Sequence, residues 1–179
     1  MYLSELAWLL GWGLWAVFSK LLLFSATMPA EVARIASQYM KDPKEIVVGT
    51  RNEGAANVRH IYYMVPARDK YATLKRVADY NPNIYAIIFC RTRRDTQEIA
   101  DALIHDGYNA DALHGDLSQQ PRDLTMRKFR DRVTTLLVAT DVAARGLDVD
   151  DLTHVINYGL PDDTAVYTHR SGRTGRAGK

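Results

Sequence analysis

Short apolar runs alternate with helical patterns along most of the chain, and this alternation constrains the fold more than any other sequence feature. A continuous apolar run at residues 85–90 predicts a parallel strand that is covered on both faces of a sheet, and residues 135–139 predict another strand. Helical patterns at residues 67–80, 95–106 and 118–131 lie between and beside these strands. Because strand–helix–strand connections of this kind make right-handed crossovers, the sequence predicts an α/β fold with a mainly parallel sheet flanked by helices.

The other elements of this region follow from the same criteria. Gly107 is expected to end the helix at residues 95–106, whose side chains Ile99, Leu103 and Ile104 should face inward. Further strands are predicted at residues 58–65, 109–114 and 154–158, and a further helix at residues 162–170.

Polar clusters follow the carboxyl ends of the predicted strands. In open α/β sheets ligands bind at that edge, so the clusters are expected to form one functional edge. Each cluster alone could instead have a structural role in its loop, because Thr or Asp after a strand often caps a helix or a turn. Asp141, for example, could accept hydrogen bonds from backbone donors of its own loop. The clusters are Ser25-Ala26-Thr27, Arg91-Thr92-Arg93, His114-Gly115-Asp116 and Thr140-Asp141.

Three arginines near the end of the chain, Arg170, Arg173 and Arg176, are spaced three residues apart, with Gly172 and Gly175 between them. The guanidinium group is always charged and presents a planar fork of donors that suits phosphate oxygens. Glycine allows a ligand to approach the backbone closely. The pattern predicts a site for a polyanion, with a nucleoside triphosphate as the best fit; the alternative is a solvated basic loop.

Composition and charge narrow the class of protein. A hydrophobic content of 47% is ordinary for a globular domain, and the net charge of +2 means that any basic surface must come from local clustering. The single cysteine, Cys90, and the lack of metal-binding Cys/His spacing predict neither a disulfide nor a metal site. This pattern fits a reducing compartment, and we expect the protein in the cytoplasm.

The sequence divides into three parts. Residues 1–20 hold all three tryptophans in an apolar leader of uncertain origin, which we expect to pack on the domain or on another chain, or alternatively to act as an interaction helix. Its uncharged run is shorter than the roughly 20 residues that a transmembrane helix needs, so no membrane partner is predicted. Residues 21–57 should contain a strand at 21–24, a helix ending near residue 40 and a connection, and residues 58–179 the main domain.

Residues 21–179 resemble the second RecA-like domain of DEAD-box RNA helicases, with the end of the first domain attached. The resemblance implies a RecA-like three-layer sandwich and covers nearly nine-tenths of the chain. The motifs that carry it are Ser25-Ala26-Thr27 (motif III), residues 88–93 (IFCRTR, motif IV), Gln119-Gln120-Pro121-Arg122, residues 139–149 (ATDVAARGLDV, motif V) and residues 169–176 (motif VI).

The resemblance also implies roles for nucleotide-binding residues. Arg173 and Arg176 would be arginine fingers that contact the γ-phosphate of ATP, a role worth about 10³–10⁵ in rate in other phosphoryl-transfer systems. Gly146 and Asp148 are expected at the nucleotide, where Asp148 would hydrogen-bond the ribose. His169 and Arg170 are expected as further catalytic residues, tying the site to the first domain and to its coupling residues Ser25 and Thr27.

A second set of residues would line a track for the RNA backbone. Short hydroxyls, glycines and arginines hold phosphate and do not read base edges, so binding should be largely independent of sequence and sensitive to salt. The residues implied are Arg91, Thr92, Gly115, Gln119, Arg122, Thr140, Arg145 and Gly146.

The sequence lacks a phosphate-binding Gly-x-x-x-x-Gly-Lys-Ser/Thr loop and an Asp-Glu-Ala-Asp stretch. ATP and Mg²⁺ would therefore be held mainly by the missing first domain, and the chain alone should not hydrolyse ATP. Because family members continue beyond residue 179 into a further strand and helix, an extended chain is expected to melt at a higher temperature. The alternatives are a stand-alone module that binds the RNA backbone, and half of a related DNA helicase.

Overall fold

The computed structural model describes residues 22–23, 30–42, 44–46, 58–147, 149 and 151–174. The chain separates into two compact units, Met1–Asn52 and Glu53–Lys179. In the first unit, helix α1 (Ala30–Tyr39) confirms the helix predicted to end near residue 40. Predictions for the leader and for the site residues Ser25, Thr27, Asp148 and Arg176 lie outside the described residues. Of the strand predicted at 21–24 only Leu22 and Leu23 are described, and there the prediction is wrong: they belong to no strand and are 71% and 42% exposed.

The second unit is built on a parallel sheet, as predicted. Its described strands run in the order β2-β3-β1-β4, and every pairing is parallel. Ala86 stands opposite Leu136 on one side and His154 on the other, so β1 is a central strand. The strands are β1 (Ala86–Phe89), β2 (Ala110–Leu113), β3 (Leu136–Ala139) and β4 (His154–Asn157).

Helices alternate with these strands. A 3₁₀ turn at Ala67–Asp69 leads into the first helix of the unit, and Gly107, at φ +88°, follows the end of the second as predicted. The helices are α2 (Lys70–Tyr80), α3 (Arg93–His105), α4 (Gln119–Arg130), α5 (Asp141–Ala144) and α6 (Thr164–Ser171). None of the helices in the described part of the chain has the length and apolar character needed to cross a bilayer.

Alternate residues of the central strands feed two separate cores, one on each face of the sheet. Ile87 and Phe89 pack in a cluster with Phe129 of α4, whereas Ile88 packs in a second cluster with Leu103 of α3. All residues of β1 and β3 are buried, because both faces of the sheet are covered. Together the two cores give a three-layer α/β sandwich, as the resemblance implies.

Two predictions about this unit are wrong. Residues 58–65 form no strand: Tyr62 and Met64 are 85% and 90% exposed, and no backbone hydrogen bond links the segment to another described residue. Its Val, Ile and Tyr residues favour a strand, but a strand also needs a partner for its backbone. Ile104 is half exposed, because Ala100 and Leu103 already supply the inward face of α3 and Ile104 lies about 100° further around the helix.

Candidate nucleotide and RNA site at the carboxyl edge of the sheet

The loops after the parallel strands meet at one side of the sheet, which we call the carboxyl edge: residues 90–92, 114–118, 140–147 and 158–163. The polar clusters predicted after β1, β2 and β3 all lie here, because parallel strands end on the same side. The edge therefore brings together most of the residues predicted to bind RNA.

Arg170 of α6 is the central side chain of this edge. Its Nε and Nη2 atoms donate to the two carboxylate oxygens of Asp141 at 2.6 and 2.7 Å. Its Nη1 donates to Asn157 Oδ1 at 2.8 Å and to the carbonyl oxygen of Gly159 at 2.7 Å. The guanidinium also lies over the Phe89 ring, 4.8 Å from its centroid. One side chain thus joins α6 to α5, to the end of β4 and to the core.

The burial of Arg170 explains why it needs these partners. The residue is only 2% exposed, and a buried charge is tolerated only when it is paired and hydrogen-bonded. Four of its five N–H groups are donated to Asp141, Asn157 and Gly159, which all belong to its own unit. The acceptor role of Asp141 toward Arg170 replaces the alternative in which it bonds backbone donors of its own loop.

Arg173 lies one turn beyond Arg170 and contacts the same edge. Its Nη1 donates to the carbonyl oxygen of Leu147 at 2.7 Å, just after α5. The neighbouring Thr174 Oγ1 donates to the carbonyl oxygen of Leu152 at 2.7 Å. The segment after α6 therefore packs against the segment that follows α5, which brings the predicted finger Arg173 beside the motif that contains Gly146.

Several predicted RNA contacts also stabilise the loops that carry them. Thr92 Oγ1 caps α3 by accepting from the Asp95 amide at 3.0 Å, and Thr140 Oγ1 accepts from the Ala143 amide at 3.4 Å at the start of α5. Arg122 Nη2 donates to the carbonyl oxygen of Ala143 at 2.8 Å. These hydrogen bonds within the protein stabilise the conformation of the loops.

Other predicted residues are open to solvent. Arg145, Gly146 and His169 are exposed, and Gly146 adopts φ +73°, a conformation that side chains other than glycine rarely adopt. Gly115 is exposed, and Gln119, also exposed, donates to Asp123 Oδ1 at 2.8 Å. These positions present backbone and polar groups on the outside of the edge.

Two features of the edge were missed by sequence reasoning. Gly159 lies so close to Arg91 that an added Cβ would stand 2.7 Å from Arg91 Cγ and 3.1 Å from its backbone nitrogen. Asp162 accepts a hydrogen bond from Arg91 Nη2 at 2.5 Å. The position of Gly159 directly after the strand predicted at residues 154–158 could have indicated its close contact with Arg91. Nothing in the sequence indicated the ion pair between Arg91 and Asp162.

Two titratable side chains beside the edge, His114 and Cys90, are structural. His114 is 7% exposed, with Nε2 against Gln97 Oε1 at 2.8 Å and Nδ1 accepting from the Asp116 amide. Burial raises the pKa of the Cys90 thiol to about 12, which keeps it protonated and unreactive. Among the described residues, no three His, Cys, Asp or Glu side chains are grouped so as to hold a metal ion. The groups that the edge presents are arginine, hydroxyl and backbone groups.

Comparison with known proteins places this geometry in a family. Residues 69–178 match the family model described as helicase conserved C-terminal domain. The chain is 48% identical over 158 residues to the DEAD-box ATP-dependent RNA helicase CshA of Bacillus subtilis. These aligned residues make up 88% of this chain and 32% of that protein. It spans about a third of the length of the curated relatives it matches.

Solved structures agree with this assignment. A DEAD box protein from the hyperthermophile Methanococcus jannaschii matches with a TM-score of 0.66 and 44% identity, over 90% of this chain and 43% of that one. S. cerevisiae Dbp5 bound to RNA and ADP BeF3 matches with a TM-score of 0.80 and 32% identity, over the same shares.

The class of the domain is thus the conserved C-terminal domain of helicases, with a RecA-like fold. More particularly, the chain belongs to the DEAD-box RNA helicase family and corresponds to the C-terminal domain of these proteins.

Proposed function

We propose that this chain is the C-terminal half of an ATP-dependent RNA helicase, which supplies arginine fingers and a track for the RNA backbone. The observation that carries the proposal is the Asp141–Arg170 pair. It fixes the start of the terminal arginine segment against α5, so that Arg173 lies on the same edge as Gly115 and Thr140.

The nucleotide would be ATP with Mg²⁺, held mainly by the first RecA-like domain, while Arg173 and Arg176 reach its γ-phosphate from this side. Positive charge aimed at the transferring phosphoryl group stabilises the charge of the transition state. Asp148 and Gly146 would bind the ribose side of the nucleotide, and His169 would couple the edge to Ser25 and Thr27. Arg170 was expected to be a further catalytic residue. Its hydrogen bonds within its own unit support a positioning role instead, in which it would hold Arg173 in place.

The RNA track would be formed by the loops after the strands. The polyanionic backbone would bind through its phosphates and sugars to exposed donors of the edge, without base readout. Arg145 and Gly146 are open to solvent there, and Arg91 and Arg122 supply guanidinium groups near neighbouring loops. Because the curated relatives that it matches include RNA helicases of Bacillus, we also propose that the protein works in the cytoplasm.

The test is reconstitution with a separately purified first RecA-like domain of a DEAD-box relative. We expect neither part alone to hydrolyse ATP and the mixture to show RNA-stimulated hydrolysis, because catalysis by preorganised charge needs both halves of the site. RNA-stimulated turnover by the chain alone, lost on Arg173→Ala, would refute its dependence on the first domain.

The same experiment distinguishes the alternatives. Binding of RNA without any ATPase in the mixture would indicate a stand-alone RNA-backbone module. Equal stimulation by RNA and by DNA of one sequence would indicate half of a DNA helicase, since the 2′-hydroxyl is what allows a protein to tell the two apart.

A further inference from the structure

Arg91, a predicted RNA contact, is already paired with a carboxylate in the protein. Its Nη2 lies 2.5 Å from Asp162 Oδ2, in the loop that follows β4. The side chains of both residues are mostly exposed, at 55% and 81%. Gly159 confines the base of the Arg91 side chain, which directs the guanidinium toward this loop. An incoming phosphate would therefore meet an arginine whose charge is partly neutralised.

A second pair of the same kind stands on the next loop of the edge. Arg93, at the start of α3, donates from Nη1 to Asp116 Oδ1, and both side chains are about 60% exposed. The Arg93 side chain passes over Gly115, whose added Cβ would lie 3.8 Å from Arg93 Cδ. Arg93 thus lies beside an exposed glycine of the predicted RNA track, although it was not itself among the predicted RNA contacts.

Neither pair has the features of a structural ion pair. Exposed pairs are hydrated and contribute little to stability, in contrast to the buried Arg170–Asp141 pair. A guanidinium fork binds a carboxylate and a phosphate through the same donors. One anion can therefore replace the other at Arg91 and at Arg93 without any change in the fold.

We propose that Asp162 and Asp116 are exchangeable counterions, which occupy Arg91 and Arg93 until phosphates of the RNA backbone displace them, and that Arg93 is a further RNA contact. This inference rests on the proposed RNA track. The carboxylates lower the affinity for RNA, because each displaced acid stays close to the phosphate that replaced it and repels it. They favour release of the strand and disfavour weak binding of other anions.

The test is RNA binding by the full chain, measured by fluorescence anisotropy with a fluorescein-labelled oligouridylate. At about 0.1 M salt, Asp162→Asn should bind about two-fold to three-fold more tightly than the parent, and the gain should shrink as salt screens the repulsion. Arg91→Ala should bind more weakly. In the Arg91→Ala background, Asp162→Asn should lose most of its effect, because the competition acts through this arginine. Asp116→Asn and Arg93→Ala should behave in the same way.

Asp101→Asn is the matched control for the loss of one negative charge. Asp101 is exposed on α3, eight residues from Arg93, which is roughly 12 Å along the helix. This separation exceeds the Debye length of about 10 Å at 0.1 M salt, so its effect on RNA affinity should be small. If Asp101→Asn raised the affinity for RNA as much as Asp162→Asn does, the change in net charge alone would explain the effect, and the proposal would be overturned.

Two further results would count against the inference. If Asp162→Asn and Asp116→Asn bound RNA no better than the parent while Arg91→Ala bound it worse, the acids would be positioning residues; the inference would fall and the RNA track would stand. If neither the parent nor the doubly substituted Asp116→Asn, Asp162→Asn chain bound RNA at any salt concentration, the track itself would be wrong and the inference would fall with it.

Discussion

Arg170 and Asp141 form a two-pronged ion pair in which the arginine is buried and the acid is about one-third exposed. The pair connects the terminal helix α6 with the short helix α5 after β3. In this position it holds the two segments that carry the predicted nucleotide contacts, Gly146 and Arg173, against each other. Its integrity should therefore matter for stability as well as for function.

Breaking this pair from the acidic side should destabilise the domain strongly. Asp141→Asn leaves the buried guanidinium of Arg170 without its counterion, and we expect a loss of about 3 kcal/mol in the free energy of unfolding. Glu98→Gln is the matched control, because it removes an acid from an exposed pair with Arg94 and should cost less than about 0.5 kcal/mol. Urea unfolding followed by circular dichroism measures both, and equal losses would contradict a structural role for the buried pair.

Loss of the predicted finger should affect turnover and leave RNA binding intact. In the reconstituted mixture, Arg173→Ala should lower the rate of RNA-stimulated ATP hydrolysis by about 10³ or more, because the charge on the transferring phosphoryl group loses a donor. Arg127→Ala, on the exposed face of α4, should leave the rate unchanged. Steady-state ATPase assays and RNA anisotropy on the same samples provide the measurements. A rate for Arg173→Ala within a few-fold of the parent would rule out its finger role.

A side chain at Gly159 should disturb the edge. In Gly159→Ala the new methyl group would overlap Arg91, including its backbone nitrogen, and relief of this overlap should cost about 1–3 kcal/mol. Gly115→Ala is the control, since its methyl group would make only an ordinary contact with Arg93. Thermal unfolding of the two variants decides the matter: similar melting temperatures would show that Arg91 moves aside freely.

Asp106 should give stability a dependence on acidic pH. Hydrogen bonds from Lys75, Tyr71 and His105 lower the pKa of this carboxyl to about 2, so the folded state binds its proton less readily than the unfolded state. The contribution is present above the ordinary carboxyl pKa and is lost as pH falls from about 4 to about 2. The difference in unfolding free energy between the parent and Asp106→Asn should shrink across this window. A difference that stays constant would mean that the carboxylate gains nothing from these donors.

The sequence was sufficient for the sheet and for the edge at which the loops after the strands gather. Buried runs such as residues 85–90 are specified by local apolar content, and the parallel order then places every following loop on one edge. Local pattern failed where the outcome depends on a partner elsewhere. Residues 58–65 have strand-forming side chains, but their backbone pairs with no other residue in the described part of the chain. The burial of the Arg170 side chain could not be predicted either, because it depends on Asp141 and Asn157, which are distant in sequence.

Helix α5 is only four residues long, too short to persist by its own hydrogen bonds. The ion pair with Arg170 of α6 and the cap from Thr140 must therefore stabilise α5. Unfolding of α5 would separate Asp141 from Arg170 and leave the buried guanidinium without its counterion. Opening of either helix is thus coupled to opening of the other. We expect their amide protons to exchange with solvent as one cooperative group, with protection set by the slower of the two helices.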